Sequence, residues 1–259
     1  MGVQLVTFGS LHVRDGENEL EAVLSQRSRA ALFVYLTIER RTSRDAITAM
    51  FWPESAAENA RHALRQSLYH LKKALGGCDW LESRLHELAV RGEVAADATE
   101  FSDALERGDP ERAVRLYDGP FLDGVHLADI RPWESWVDLR RAKYARCFRK
   151  ACRDLVDLRL AARDFTGAIA AAERWVSPDP SDDEAQHRLI ATLVAAGERA
   201  EAIRQFETYV RLLATDGLEP LDETCQLVEQ LRTQRQRARL VPHPSRRPHM
   251  IGTPTLALK

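Results

Sequence analysis

The chain opens with short alternations of apolar and polar residues. Val3, Leu5, Val6 and Phe8 are strand formers, Gly9-Ser10 marks a turn, and Leu11 and Val13 resume the alternation. Asp15-Gly16 is a further turn signal, with Leu20 and Val23 beyond it, so a small antiparallel sheet is expected. The period then changes. Over residues 26–39, Ala30, Leu32, Phe33, Leu36 and Ile38 form a wide apolar stripe at helical spacing, with Ser25 as a candidate cap. Ser43 is placed to cap a second, short helix carrying Ala46, Ile47 and Met50, which must stop at Phe51-Trp52 because Pro53 disfavours helix at the preceding residue. A third helix is expected from Ser55 to Gly76-Gly77, with Ser55 to Glu58 as a capping box and the glycines as its stop. Leu81, Leu85, Leu88 and Val90, around Gly92, and then Val94, read as a hairpin with Arg84 and Arg91 at or near its turns. Sheet, three helices, hairpin is the order of a winged helix.

From Asp97 onward the pattern is helical. The segments 99–107, 110–117, 134–163, 165–176, 182–196, 199–214 and 221–235 carry helical periods, interrupted by a Gly/Pro/Asp-rich loop at 118–132. Ala168-Ile169 and Ala202-Ile203 match at an offset of 34, as do Ala151 and Ala185, Leu155 and Leu189, Ala161-Ala162 and Ala195-Ala196, and Trp175 and Tyr209. That is the tetratricopeptide period, one helix pair per repeat. The expected class is mainly α with a small β component. Residues 1–96 form a winged-helix domain, 97–235 an all-α tetratricopeptide-like repeat domain, and the two are expected to be separate folding units. The region 236–259, with four prolines and no period toward its end, is expected to be a flexible tail.

The third helix holds the candidate chemistry. On a wheel, Ala60, Leu64, Leu68, Leu71 and Leu75 fall on one face. The opposite face carries Asn59, His62, Gln66, Tyr69 and Lys73, flanked by Arg61, Arg65 and Lys72. Asn and Gln pair bidentately with adenine and Arg or Lys with guanine, while tyrosine and basic groups reach phosphates. A plain solvated face would look similar taken alone; its place between a capped short helix and a hairpin is what favours a DNA reader. Arg84 and Arg91, near the hairpin, are candidates for backbone or minor-groove contacts.

Charge sharpens the picture locally rather than globally. Residues 1–95 carry 12 basic and 12 acidic side chains, whereas segment 55–77 is +3. The neutral front domain supports a rival reading, a tetratricopeptide-type adaptor that binds protein and not DNA. The four cysteines lack the spacing of a zinc or redox motif, and no phosphate loop or Ser/His/Asp grouping emerges. No enzyme activity, metal or cofactor is therefore expected. Trp133, Trp136 and Tyr144 suit a helix core better than a ligand pocket. With no apolar run long enough for a membrane span and no signal-like start, a cytoplasmic protein is expected.

The stretches LVTFGSLHV (5–13), TSRDAITAMFWPE (42–54) and NARHALRQSLYHLKKALG (59–76) resemble the winged-helix domain of the antibiotic-regulatory-protein (SARP) activators, a branch of the OmpR-like DNA binders. ADATEF (96–101), LYDGPFLDG (116–124) and the repeats resemble the bacterial transcriptional activation domain that follows it in that family. The resemblance implies binding to double-stranded promoter DNA, often as a homodimer on repeated sites, and recruitment of RNA polymerase.

Overall fold

The structure is a computed structural model that describes residues 2–76, 79–91 and 94–240, with side chains to residue 233. The opening alternation folds as β1 (Val3–Val6), β2 (His12–Asp15) and β3 (Asn18–Glu19). Val3, Leu5 and Val13 point inward and Gln4 and Arg14 outward, as a two-residue period requires. A single turn, α1 (Glu21–Leu24), leads to α2 (Arg27–Glu39). Residues Ala30 to Thr37 of α2 are all buried, so this helix is surrounded rather than amphipathic. Ser25 does not cap it; its hydroxyl turns back to the Ala22 carbonyl (2.9 Å).

Next come β4 (Arg41–Ser43), α3 (Arg44–Phe51), α4 (Ala57–Ala74), β5 (Leu81–Ser83), β6 (Glu87–Val90) and β7 (Val94–Ala96). Ser43 caps α3 as expected, accepting from the Ala46 amide at 3.1 Å. Ser55 does not cap α4. Pro53 starts a turn closed by the Ser55 amide on the Trp52 carbonyl (3.1 Å), and α4 begins after Ala56 without a side-chain cap. Two sheets result. One has the order β3-β2-β1-β7, with β7 parallel to β1 (Val3 opposite Val94); the other has the order β4-β6-β5. The β5–β6 hairpin turns through Arg84 to His86, where the Arg84 amide meets the Glu87 carbonyl at 2.9 Å. Arg84 is therefore at the tip and Arg91 at the opposite end; the expected turn glycine, Gly92, lies outside the described residues, as do Gly77 and Cys78.

The helical part consists of α5 (Asp97–Glu106), α6 (Pro110–Leu116), α7 (Arg131–Ala161), α8 (Phe165–Val176), α9 (Asp183–Ala195), α10 (Arg199–Thr215) and α11 (Asp222–Leu240). The 34-residue correspondence holds in three dimensions. Ala151, Ala185, Ala168 and Ala202 are fully buried at the helix contacts, whereas Ala161 and Ala162 are exposed. Arg163 and Gly197, the same offset apart, both take a left-handed backbone (φ 58° and 85°) between paired helices. Helix α11 runs through Leu240, past the expected start of the tail; residues 241–259 lie outside the described part.

One apolar core runs through both parts of the chain. Phe8 packs among Phe101, Tyr117, Phe121 and Tyr144, with Phe8–Tyr117 ring centroids 4.7 Å apart. Trp133 meets Phe51 and Trp136 meets Tyr35, so these aromatics are core, as their spacing suggested. The loop between α6 and α7 straps the halves together: Gly9 N–H donates to the Pro120 carbonyl (3.0 Å), Leu122 N–H to Thr7 (2.7 Å) and Asp123 N–H to Gly9 (3.0 Å). A side chain at Gly119 would bring its Cβ within 3.3 Å of the Gly9 Cα, a close approach that favours glycine. Arg141 of α7 fixes the strap from behind by donating to the Phe121 (2.8 Å) and Leu122 (2.6 Å) carbonyls.

Candidate nucleic-acid interface

Helix α4 is 18 residues, about 27 Å. Ala60, Leu64, Leu71 and Leu75 are buried and Leu68 half-buried, so the leucine stripe packs inward. That orientation turns Asn59, Arg61, His62, Arg65, Gln66, Tyr69, Lys72 and Lys73 to solvent, and all eight are exposed. Tyr69 retains 67% of its possible exposure, unusual for an aromatic without a partner surface. Lys72 and Lys73 occupy the last turn, where the helix dipole favours positive charge.

The short α3, its N-terminus and the hairpin tip complete a groove beside α4. It encloses about 550 Å³, and Arg44, Arg61, Arg65 and Arg84 line it together with Asp45, His86 and Leu85. Leu85, at the tip, is 82% exposed. Arg44 is the residue that sequence reasoning missed. The Ser43 cap places it at the first helical position, and from there its Nε donates to the Arg84 carbonyl (3.2 Å) and its terminal nitrogen to Ser83 Oγ (2.6 Å). Its own amide donates to the His86 carbonyl (3.0 Å). Arg44 thus ties the hairpin tip to the start of α3 while presenting charge to the groove. The available clue was a basic residue directly after a recognisable cap; its partners come from 40 residues downstream and leave no local trace.

Neutral overall charge in the front part hides a segregation. Glu39, Asp79, Glu82 and Glu87 are spent on Arg140, Arg91, Arg84 and Arg41 respectively. Among the described residues, Arg44, Arg61, Arg65, Lys72 and Lys73 form no ion pair. The expected basic residues therefore fall into two sets. The α4 cations are unneutralised and share one face. Arg84, at the tip, is engaged with Glu82 at 2.8 Å; the adjacent guanidinium holds the Glu82 carboxyl below its usual range, and Glu82 raises Arg84 in return. Arg91 is paired with Asp79 at 2.6 Å, at the far end of the hairpin, and is not brought into the groove.

Among the described residues no helix is long and apolar enough to cross a membrane, and no group of three His, Cys, Asp or Glu side chains could hold a metal ion.

Residues 78–232 match the family described as the bacterial transcriptional activator domain. No curated protein matches the chain. Among solved structures, the chain is similar to Mycobacterium tuberculosis EmbR, determined in complex with a low-affinity phosphopeptide: TM-score 0.57, 19% identity, 90% of this chain and 65% of that one covered. At that identity the likeness speaks to the fold, a winged helix followed by a helical repeat domain, and this chain spans only 65% of the EmbR chain's length. Because the family match takes in more than half of its residues, the chain belongs to the bacterial transcriptional activator domain family.

Proposed function

We propose that this chain is a transcriptional regulator of the antibiotic-regulatory-protein type and that it binds double-stranded promoter DNA with α4 in the major groove and one phosphate strand passing between α4 and the hairpin tip. The observation that carries the reading is the groove on which Arg44, Arg61 and Arg65 converge with no ion pair among the described residues, Asp45 being the one acidic side chain in its lining. Unneutralised arginines release counterions from a phosphate backbone, and a mixed polar stripe (Asn59, His62, Gln66, Tyr69) offers base-reading donors and acceptors beside them. Residues 1–96 then act as the DNA-binding part, and residues 97–235 as the part that meets RNA polymerase in the cytoplasm. Binding as a homodimer on repeated half-sites follows from the same reading.

The test is a salt-titrated anisotropy measurement on a DNA site selected from a random pool. Arg65→Ala and Arg44→Ala should each weaken binding to every sequence and flatten the log–log salt slope by about one unit. If both leave affinity and slope unchanged while the variants remain folded, the groove does not hold DNA, and the adaptor reading replaces this one. Sedimentation of the protein on DNA carrying two half-sites reads the stoichiometry.

A further inference from the structure

Four rings from three elements meet where α7 begins. Trp133 packs on Phe51 (centroids 5.6 Å apart) and stacks on Trp136 (5.2 Å), which meets Tyr35 edge-on (5.2 Å). Phe51 is the last residue of α3, and Tyr35 lies one turn before Glu39, the last residue of α2. Glu39 is the charged member of the cluster. Its Oε1 accepts from Trp136 Nε1 (2.7 Å) and from the Arg140 guanidinium (2.5 Å), and Arg140 also lies over the Trp136 ring at 5.5 Å.

These contacts bracket the segment that shapes the DNA-facing groove. After Glu39 the chain turns through Arg40, left-handed at φ 59°, and reaches Arg44 across the three residues of β4. Strand β4 is an edge strand, paired with β6 alone among the described strands, so the hold on Glu39 fixes its upstream end. Helix α3 has eight residues, about 12 Å. Arg44 ties its first turn to the hairpin tip, and Trp133 covers its last residue. A short helix held at one end can pivot; α7 supplies the second hold.

We infer that Glu39, Trp136 and Arg140 are positioning residues for DNA binding. None of them lines the groove. They act through β4 and α3, keeping Arg44 in the groove it shares with Arg61 and Arg65. The helical part thereby contributes to the affinity of a surface that it does not form. The inference rests on the DNA-binding reading.

Two measurements on the full chain test it: amide exchange without DNA, and salt-titrated anisotropy on the selected site. The Arg44 amide, which donates to the His86 carbonyl, should exchange about tenfold faster in Glu39→Ala, while the amides of α9 and α10 exchange as before. DNA binding should weaken by about tenfold and the salt slope flatten by about one unit, as loss of the Arg44 contact would give. Glu39→Gln keeps an oxygen acceptor for Trp136 and Arg140 and should stay within about threefold of wild type. Arg140→Gln should fall between the two, and it carries the test if Glu39→Ala does not fold. Every variant is compared where circular dichroism shows it folded. A wild type that binds no DNA overturns the reading beneath this one. Wild-type affinity and slope in folded Glu39→Ala overturn the positioning role alone, as does faster exchange spread evenly over α9 and α10, or a Glu39→Gln variant as weak as Glu39→Ala.

Discussion

Asp97 is the residue whose loss should cost the fold most for its size. Its carboxylate accepts from the Thr7 amide (2.8 Å), the Phe8 amide (2.9 Å), the Thr7 hydroxyl (2.5 Å) and the Ala98 amide (2.7 Å). Thr7 is fully buried and Phe8 is 2% exposed, so their amides have few alternative acceptors once the carboxylate is gone. Asp97→Ala strands two buried backbone donors, at about 1–3 kcal/mol each. Part of that is offset, because burial already penalises the ionised carboxyl and raises its pKa, against the lowering effect of its hydrogen bonds to Thr7, Phe8 and Ala98. A net loss of about 2–4 kcal/mol is expected, measured as a fall in the urea midpoint at pH 7 with an unchanged slope. A loss below about 1 kcal/mol would refute the argument that the amides lack alternative acceptors. The pH dependence gives an independent check. Between the ordinary value of 3.8 and the raised folded value, the folded chain keeps a proton that the unfolded chain has lost. Asp97 therefore makes stability fall as pH rises through that window, and Asp97→Asn should remove that component of the slope.

Gln66→Ala should lose about 1–3 kcal/mol of discrimination at one base pair, read by competition between the selected site and single-base variants; unchanged preference would take Gln66 off the reading face. Arg91→Ala should leave DNA affinity and salt slope near wild type, because its charge is already neutralised by Asp79; a loss as large as that of Arg65→Ala would show that the far end of the hairpin also touches DNA. Ser43→Ala removes the α3 cap and should destabilise the protein by about 1 kcal/mol in thermal or urea unfolding, and through Arg44 it should also loosen the hairpin tip, seen as faster amide exchange at Arg44 and Arg84.

Features written in local periodicity were legible. The leucine stripe of α4 settled which side chains face solvent, the Ser43 cap fixed α3, and the alanine spacing announced the paired helices. Features made by pairing across long separations were not. The β4 strand, Arg41-Thr42-Ser43, is three polar residues that become a strand only because β6 runs beside them. The capping box at Ser55 failed because Pro53 commits its backbone to a turn. Helix α7 starts at Arg131, earlier than its apolar period suggests, since Pro132 is tolerated in a first helical turn. The strap reads as loop because its Gly, Pro and Asp residues are loop formers; only the buried edge at Thr7 to Gly9 tells why it has a fixed path.

The parallel pairing of β1 with β7 has a consequence for how the chain is made. An opening strand held by Val94 to Ala96 and clasped by Asp97 cannot be completed until some 90 residues have followed it. Joining ends that far apart costs roughly 2 kcal/mol more chain entropy than a hairpin of ten residues, and at about 5–20 residues per second the emerging strand waits for several seconds on the ribosome. During that interval Phe8 has no wall to lean on, because the rings that enclose it come from Phe101, Tyr117, Phe121 and Tyr144. The β1 strand is thus synthesised well before the residues that secure it, so a chain cut short before α7 is complete would leave Phe8 exposed as a target for chaperones and proteases.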